Sequence, residues 1–267
     1  REMTHAASLF LNRPLMLSSA RSALLKRSFE SGAGAEAFFG DREVDVPSYE
    51  VVQGVALIPV SGILLPGKGW SWSGATYYQD VRKALSAALD DGSVSRIALM
   101  VNSPGGTVSE CFDTAEMIYQ ARGEKPIWAI LNDAAYSAAY AIASAADFIT
   151  VPQMGGTGSI GCVGMHVDIT DALDKAGIKV TTFQYGARKT DGYPTTPLSD
   201  PARERAQADI DEMGDFFVQT VARNRSISAD IVRNTQAGTF LGRHGVEIGL
   251  ADQIATPEEA IAAFLKL

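Results

Sequence analysis

The chain has 267 residues, 46% of them hydrophobic and 20% charged, with a net charge of −8 at pH 7 and a pI of about 4.9. That length can bury a sizeable core, and the acidic balance excludes a generic nucleic-acid binder, which needs a basic surface to neutralise phosphates. Two cysteines, Cys111 and Cys162, exclude a disulfide framework and point to a reducing compartment.

Residues 1–50 read as an N-terminal arm: an apolar and basic stretch of helical character, then "SFESGAGAEAFFGDREVDVPS", whose Gly, Ser, Asp and Pro content marks a linker. An arm packed on a neighbouring subunit and a frayed terminus both remain open. Within it "ASLFLNRPLMLSSA" is broken by Arg13 and Pro14, so neither a membrane anchor nor an export signal is expected.

Residues 51–267 carry the regular pattern of a folded domain. "GVALIPVSGIL" predicts a strand, and Tyr78, Val81, Leu85 and Ala88 recur at helical spacing behind it. "SRIALMVNSPGG" predicts a second strand ending in a glycine turn, followed by the helix "VSECFDTAEMIYQA". "KPIWAILNDAAYS" predicts a third, a small-residue helix runs on to Ala146, and "DFITVP" predicts a fourth strand. "GTGSIGCVGMHVDI" reads as a glycine-rich loop entering a strand, and "KVTTFQYG" as another strand. Asp200 and Pro201 open a helix with Ala206, Ile210, Met213, Phe217 and Val221 on one face, and Thr256, Pro257 and Glu259 open the last one with a capping box. Strands alternating with helices predict an α/β fold, a mostly parallel sheet flanked by helices.

Three stretches can carry chemistry. In "NSPGG", Pro104 fixes one backbone angle while Gly105 and Gly106 permit positive φ and expose amides able to hold an oxyanion. In "AAYSAAY", Ser137 stands where a strand gives way to a helix; filler, an N-cap and a nucleophile are all open, and the Ala138 amide is a second oxyanion donor. The bases available to it are His166, oriented by Asp168 or Asp171, and Lys189 of "YGARKTDG" beside Arg188; His5 and His244 read as arm and surface. "GGTGSIG" lacks the ending of a phosphate loop and reads better as an extended edge, through Gly158, Ser159 and Ile160, on which a peptide strand can pair. No cluster of ligands suggests a metal, and no cofactor is expected.

In this order "VNSPGG", "AAYSAAYAIASAAD", "TGSIG", the lysine after "FQYGARK" and "TFLGRHGVEIGLAD" resemble the signal peptide peptidase A (protease IV) family of serine proteases, over roughly residues 54 to 255. The resemblance implies a Clp/crotonase-type fold built from repeated β-β-α or β-α units and a catalytic dyad, with Ser137 as nucleophile and Lys189 as general base. It also implies oxyanion donors at Gly106 and Ala138, with Gly105 shaping the turn. Members often form rings, so a homo-oligomer is expected, with a protein or peptide substrate. Ala138 and Ala139 stand where many members have glycines. The opening "FLNRPLMLSSARSALL" resembles phage and prophage members, implying a scaffold or capsid substrate in the bacterial cytoplasm or the assembling head. The rivals are a Clp-type triad of Ser137, His166 and an aspartate, a crotonase-like acyl-CoA enzyme, and a non-catalytic capsid component.

Overall fold

The described residues of the computed structural model are 15–17, 49–67 and 74–267, and the apolar runs among them form one ten-stranded sheet. Its strands are β1 (Leu15–Leu17), β2 (Glu50–Val52), β3 (Val55–Leu65), β4 (Ala75–Tyr77), β5 (Arg96–Thr107), β6 (Ile127–Tyr136), β7 (Phe148–Val151), β8 (Gly156–Gly158), β9 (Thr239–Leu241) and β10 (Gln253–Ile254). The central order is β10-β7-β6-β5-β3-β2, parallel from β10 to β3 and antiparallel between β3 and β2.

Side chains alternate across this sheet. Ile97, Leu99 and Val101 enter the main core on one face, while Ala98 joins Val55, Ile130 and Phe264 on the other. The main core is covered by α1 (Tyr78–Asp90), α2 (Cys111–Gln120), α3 (Ala138–Ser144) and the end of α5 (Asp200–Arg225). In α1 the buried residues include Tyr78, Val81, Leu85 and Ala88, as their spacing predicts. The opposite face is closed by α8 (Pro257–Phe264), which opens on the expected capping box of Thr256 and Glu259. Trp128 there stacks on Phe148 at 4.5 Å and on Phe264 at 4.6 Å. The short helices α4 (Thr170–Lys175), α6 (Ala229–Asn234) and α7 (Gly242–Glu247) complete the described set.

A strand has two hydrogen-bonding edges, and the three long strands each change neighbours partway along one of them. β3 keeps β5 on one edge and turns from β2, at Val55–Leu57, to β4, at Ile63–Leu65. β6 keeps β5 and turns from β7, at Trp128–Ile130, to β8, at Ala134–Tyr136. β5 keeps β3, follows β6 as far as the Ser103–Ala135 pair, and then takes β1, antiparallel, at Gly105–Thr107. Register shifts between Ser61 and Ile63 and between Val101 and Ser103 mark the changes, as expected where a bulge ends one pairing and re-aims the strand.

Several expectations are corrected. "NSPGG" is not a turn, since β5 continues through it to Thr107, because its outer edges find partners in β3 and β1. "KVTTFQYG" and "MHVDI" form no strands; apolar alternation makes a strand only where a neighbour offers a ladder. On α5 only the C-terminal part of the expected face, Phe217 and Val221, is buried, while Ala206 is exposed and Ile210 and Met213 are partly covered. Of the arm, residues 1–14 and 18–48 lie outside the described residues, and within the stretch read as helical Leu15–Leu17 are a strand.

Candidate active site

Ser137 sits between the end of β6 and the first residue of α3, with φ 54° and ψ −121°. A non-glycine residue there is strained by about 1–3 kcal/mol, and sharp strand-to-helix turns of this kind are used to present a nucleophile. The backbone is pinned on both sides: Ser137 N donates to Gly158 O at 2.8 Å, and Ser137 O accepts from Ala141 N at 3.0 Å. The side chain does not cap the helix. Among the described residues its Oγ reaches only Gly161 O, at 3.5 Å, the outer limit of a hydrogen bond.

The alanines around it are fully buried, so α3 fits tightly under the sheet. Cys111 Sγ donates to Ala138 O at 3.5 Å, and burial holds that thiol well above its ordinary pKa, leaving it an inert packing group. The other end of α3 is tied by the Arg122 guanidinium, which donates to Ala145 O at 2.8 Å and to the carbonyls of Ser144 and Ala146, and by Asn224 Nδ2, which donates to Ser144 Oγ at 3.0 Å. As the first residue of the helix, Ala138 has an N–H with no intrahelical acceptor.

Gly105 and Gly106 lie on the outer part of β5. Gly105 has φ +107°, and at Gly106 a Cβ would run into the Leu64 backbone, so neither position accepts a side chain without strain. Ser103, which the sequence reading passed over, braces this segment: its Oγ donates to Gly62 O at 2.6 Å and accepts from Gly105 N at 3.1 Å. The only sequence hint was a small polar residue next to Pro104.

Gly158, Ser159 and Ile160 do not form the open edge expected of them. β8 is paired on both sides, with β6 and with β9; Ser159 N donates to Gly238 O at 2.7 Å, and Ile160 is buried in the main core. Of the three, Gly158 touches Ser137, its carbonyl accepting from the Ser137 N–H.

Lys189 is exposed, on a run of turns between Gly186 and Gly192. Among the described residues no hydrogen bond or ion pair holds its ammonium or joins it to Ser137. The loop itself is fastened: Thr190 Oγ1 donates to Gln184 Oε1 at 2.6 Å, and Asp191 pairs with Arg205 of α5. Phe183 and Tyr185 beside it are 91% and 100% exposed. The triad is not assembled either. Both ring nitrogens of His166 are buried without a partner among the described residues. Asp168 Oδ1 accepts from Thr170 N and Thr170 Oγ1, which hold its carboxyl below the usual range.

The profile of peptidase family S49 matches residues 120–267. The chain belongs to peptidase family S49. It is 33% identical, over 98% of its length, to the capsid assembly protease C of Escherichia phage lambda, 65% of which is covered. It is 38% identical, over 80% of its length, to the head-tail preconnector protein of Enterobacteria phage P21, 43% of which is covered. Over 80% of its length it is 29% identical to protease 4 of Haemophilus influenzae, 34% of which is covered. The chain thus spans less than two thirds of each of these relatives. The resemblance read from the motifs is borne out, and the parallel sheet flanked by helices agrees with the Clp/crotonase type of fold it implied. In this S49 chain the matched segment holds Ser137 and Lys189, while Gly105 and Gly106 precede it. Among the described residues no helix is long and apolar enough to cross a membrane.

Proposed function

We propose that this S49 chain is a serine endopeptidase with Ser137 as nucleophile and Lys189 as general base, the base being supplied by a neighbouring copy in a homo-oligomer. The observation that carries the reading is the strained, uncapped Ser137 at the mouth of α3. The position of Lys189, exposed beside Phe183 and Tyr185 and unbonded to its own Ser137 among the described residues, favours a base presented outward to another subunit. A lysine serves as a base only in its neutral form, which burial in such an interface promotes.

The steps balance as amide hydrolysis. Lys189 Nζ takes the Ser137 proton as Oγ bonds to the scissile carbonyl carbon, and the amides of Gly106 and Ala138 hold the resulting oxyanion. Collapse breaks the C–N bond, with the proton passing from Lys189 to the departing amine. Water, deprotonated by the same lysine, then bonds to the acyl carbon; the bond from that carbon to Ser137 Oγ breaks, the proton returns from Lys189 to Oγ, and the acyl group leaves as a carboxylic acid. The residues require neither metal nor cofactor for this. The phage relatives support a scaffold or capsid protein as substrate and the bacterial cytoplasm or assembling head as the place.

Cleavage of casein and of a candidate scaffold protein, followed by mass spectrometry, tests the reading. Ser137→Ala and Lys189→Ala each lower the rate by about 1,000-fold or more, while His166→Ala stays active. Mixing the two inactive variants restores up to about a quarter of the sites, because random assembly places an intact serine beside an intact lysine. Activity in Lys189→Ala together with loss in His166→Ala overturns the dyad, and no recovery on mixing overturns the shared site.

A further inference from the structure

The outer edge of β5 at Gly105–Thr107 is a place where an extended peptide can add, and in this structure a strand is already there. β1 pairs antiparallel with it, Leu15 opposite Thr107, Met16 opposite Gly106 and Leu17 opposite Gly105. Which edge this is follows from the ladder. On one side Gly105 and Gly106 face Ile63 and Leu64 of β3. β1 must therefore lie on the other side, the one β6 follows up to the Ser103–Ala135 pair. Two residues beyond Ala135 stands Ser137. β1 thus pairs with the proposed oxyanion glycine on the edge of β5 that β6 leaves two residues before the proposed nucleophile.

We propose that the Gly105–Thr107 edge is a strand-addition site for which the chain carries its own tethered ligand, residues 15–17, so that this segment and a substrate peptide exclude one another. The inference rests on the reading of Ser137 and Gly106 as a peptide-cleaving site. Backbone pairing gives such a site affinity for any extended chain, and side chains set the preference. The occupant is "LML", preceded in sequence by Pro14, which fits just ahead of a strand, and followed by Ser18, Ser19 and Ala20. The ligand class is accordingly an unfolded, uncharged segment with a short apolar run beside small residues. A tethered segment acts at an effective concentration on the order of millimolar, so a weakly pairing strand of three residues competes well with free substrate.

The test uses the full chain in a Ser137→Ala background, so that neither readout depends on bond cleavage. N–H groups of successive strand residues face opposite edges, so Leu15→Pro combined with Met16→Pro removes a ladder donor whichever of the two faces β5. Hydrogen exchange at residues 105–107 is expected to quicken about tenfold in the proline variant, while residues 97–101, held by β3 and β6, stay protected and report that the fold is intact. A labelled synthetic peptide of residues 9–24 is expected to bind the proline variant about tenfold more tightly than its parent, because the tethered competitor is gone. Equal exchange at 105–107 in the two chains overturns the pairing, and quickened exchange with unchanged peptide affinity overturns the exclusion. Failure of the dyad is read separately, from the cleavage assay, and leaves both of these measurements interpretable.

Discussion

At the scale of single residues, the molecule holds Ser137 in a conformation it would not choose. Replacing Ser137 by glycine relieves the positive φ, whereas alanine keeps it. Ser137→Gly is therefore expected to be about 1 kcal/mol more stable than Ser137→Ala in denaturant unfolding, after the entropy cost of glycine is set against the released strain, although both lose cleavage. Gly106→Ala goes the other way: its Cβ meets the Leu64 backbone, and a loss of about 2–3 kcal/mol with a fall in activity is expected from the same unfolding and cleavage assays. Burial pushes the Cys162 thiol up to about 11, so its alkylation at pH 8 should run far slower in the native chain than in denaturant. These residues were unequally legible in the sequence. Ser137 drew notice as a hydroxyl among alanines, but its dihedral angles are imposed by the docking of β6 against β8 and of α3 against α2, which no local pattern encodes. Ser103 was missed because its value lies in what it bonds across the chain, at Gly62 and Gly105.

At the scale of elements, local apolar periodicity announced β3, β5, β6, β7 and α1, since each has a face that must be buried whatever surrounds it. The elements that were misread depend on a distant partner. β1 became a strand only by meeting β5 about ninety residues later in the chain, and "KVTTFQYG" stayed irregular because among the described residues it meets no ladder. The Gly156–Gly158 edge looked free until β9, more than eighty residues on, closed it. Elements are also fastened by polar ties that sequence patterning does not show. Arg122 donates to the last carbonyls of α3, and Arg225 joins the end of α5 to Asp252 at 2.7 Å and to Gly249 O at 3.0 Å. Arg122→Met keeps much of the bulk but strands those carbonyls, and an unfolding free energy lower by about 2–3 kcal/mol is expected, with slower cleavage because Ser137 is carried on the same helix.

At the scale of the whole molecule, α5 links two regions with different surroundings. Asn224 near its end bonds to Ser144 of α3, whereas Arg205 near its start grips Asp191 of the Lys189 loop. Nineteen residues separate those two attachments, about 28 Å of helix. The outer region displays Phe183 and Tyr185, apolar surface of the kind that marks an interface. Phe183→Ser with Tyr185→Ser is expected to shift sedimentation toward the single chain and to lower cleavage in parallel, with hydrogen exchange in β5 and β6 unaltered. The proposed sharing of Lys189 between copies also sets a rate law. If catalysis needs Lys189 of another copy, dilute chains are silent and turnover climbs steeply as copies crowd together, so the onset of proteolysis is timed by local accumulation.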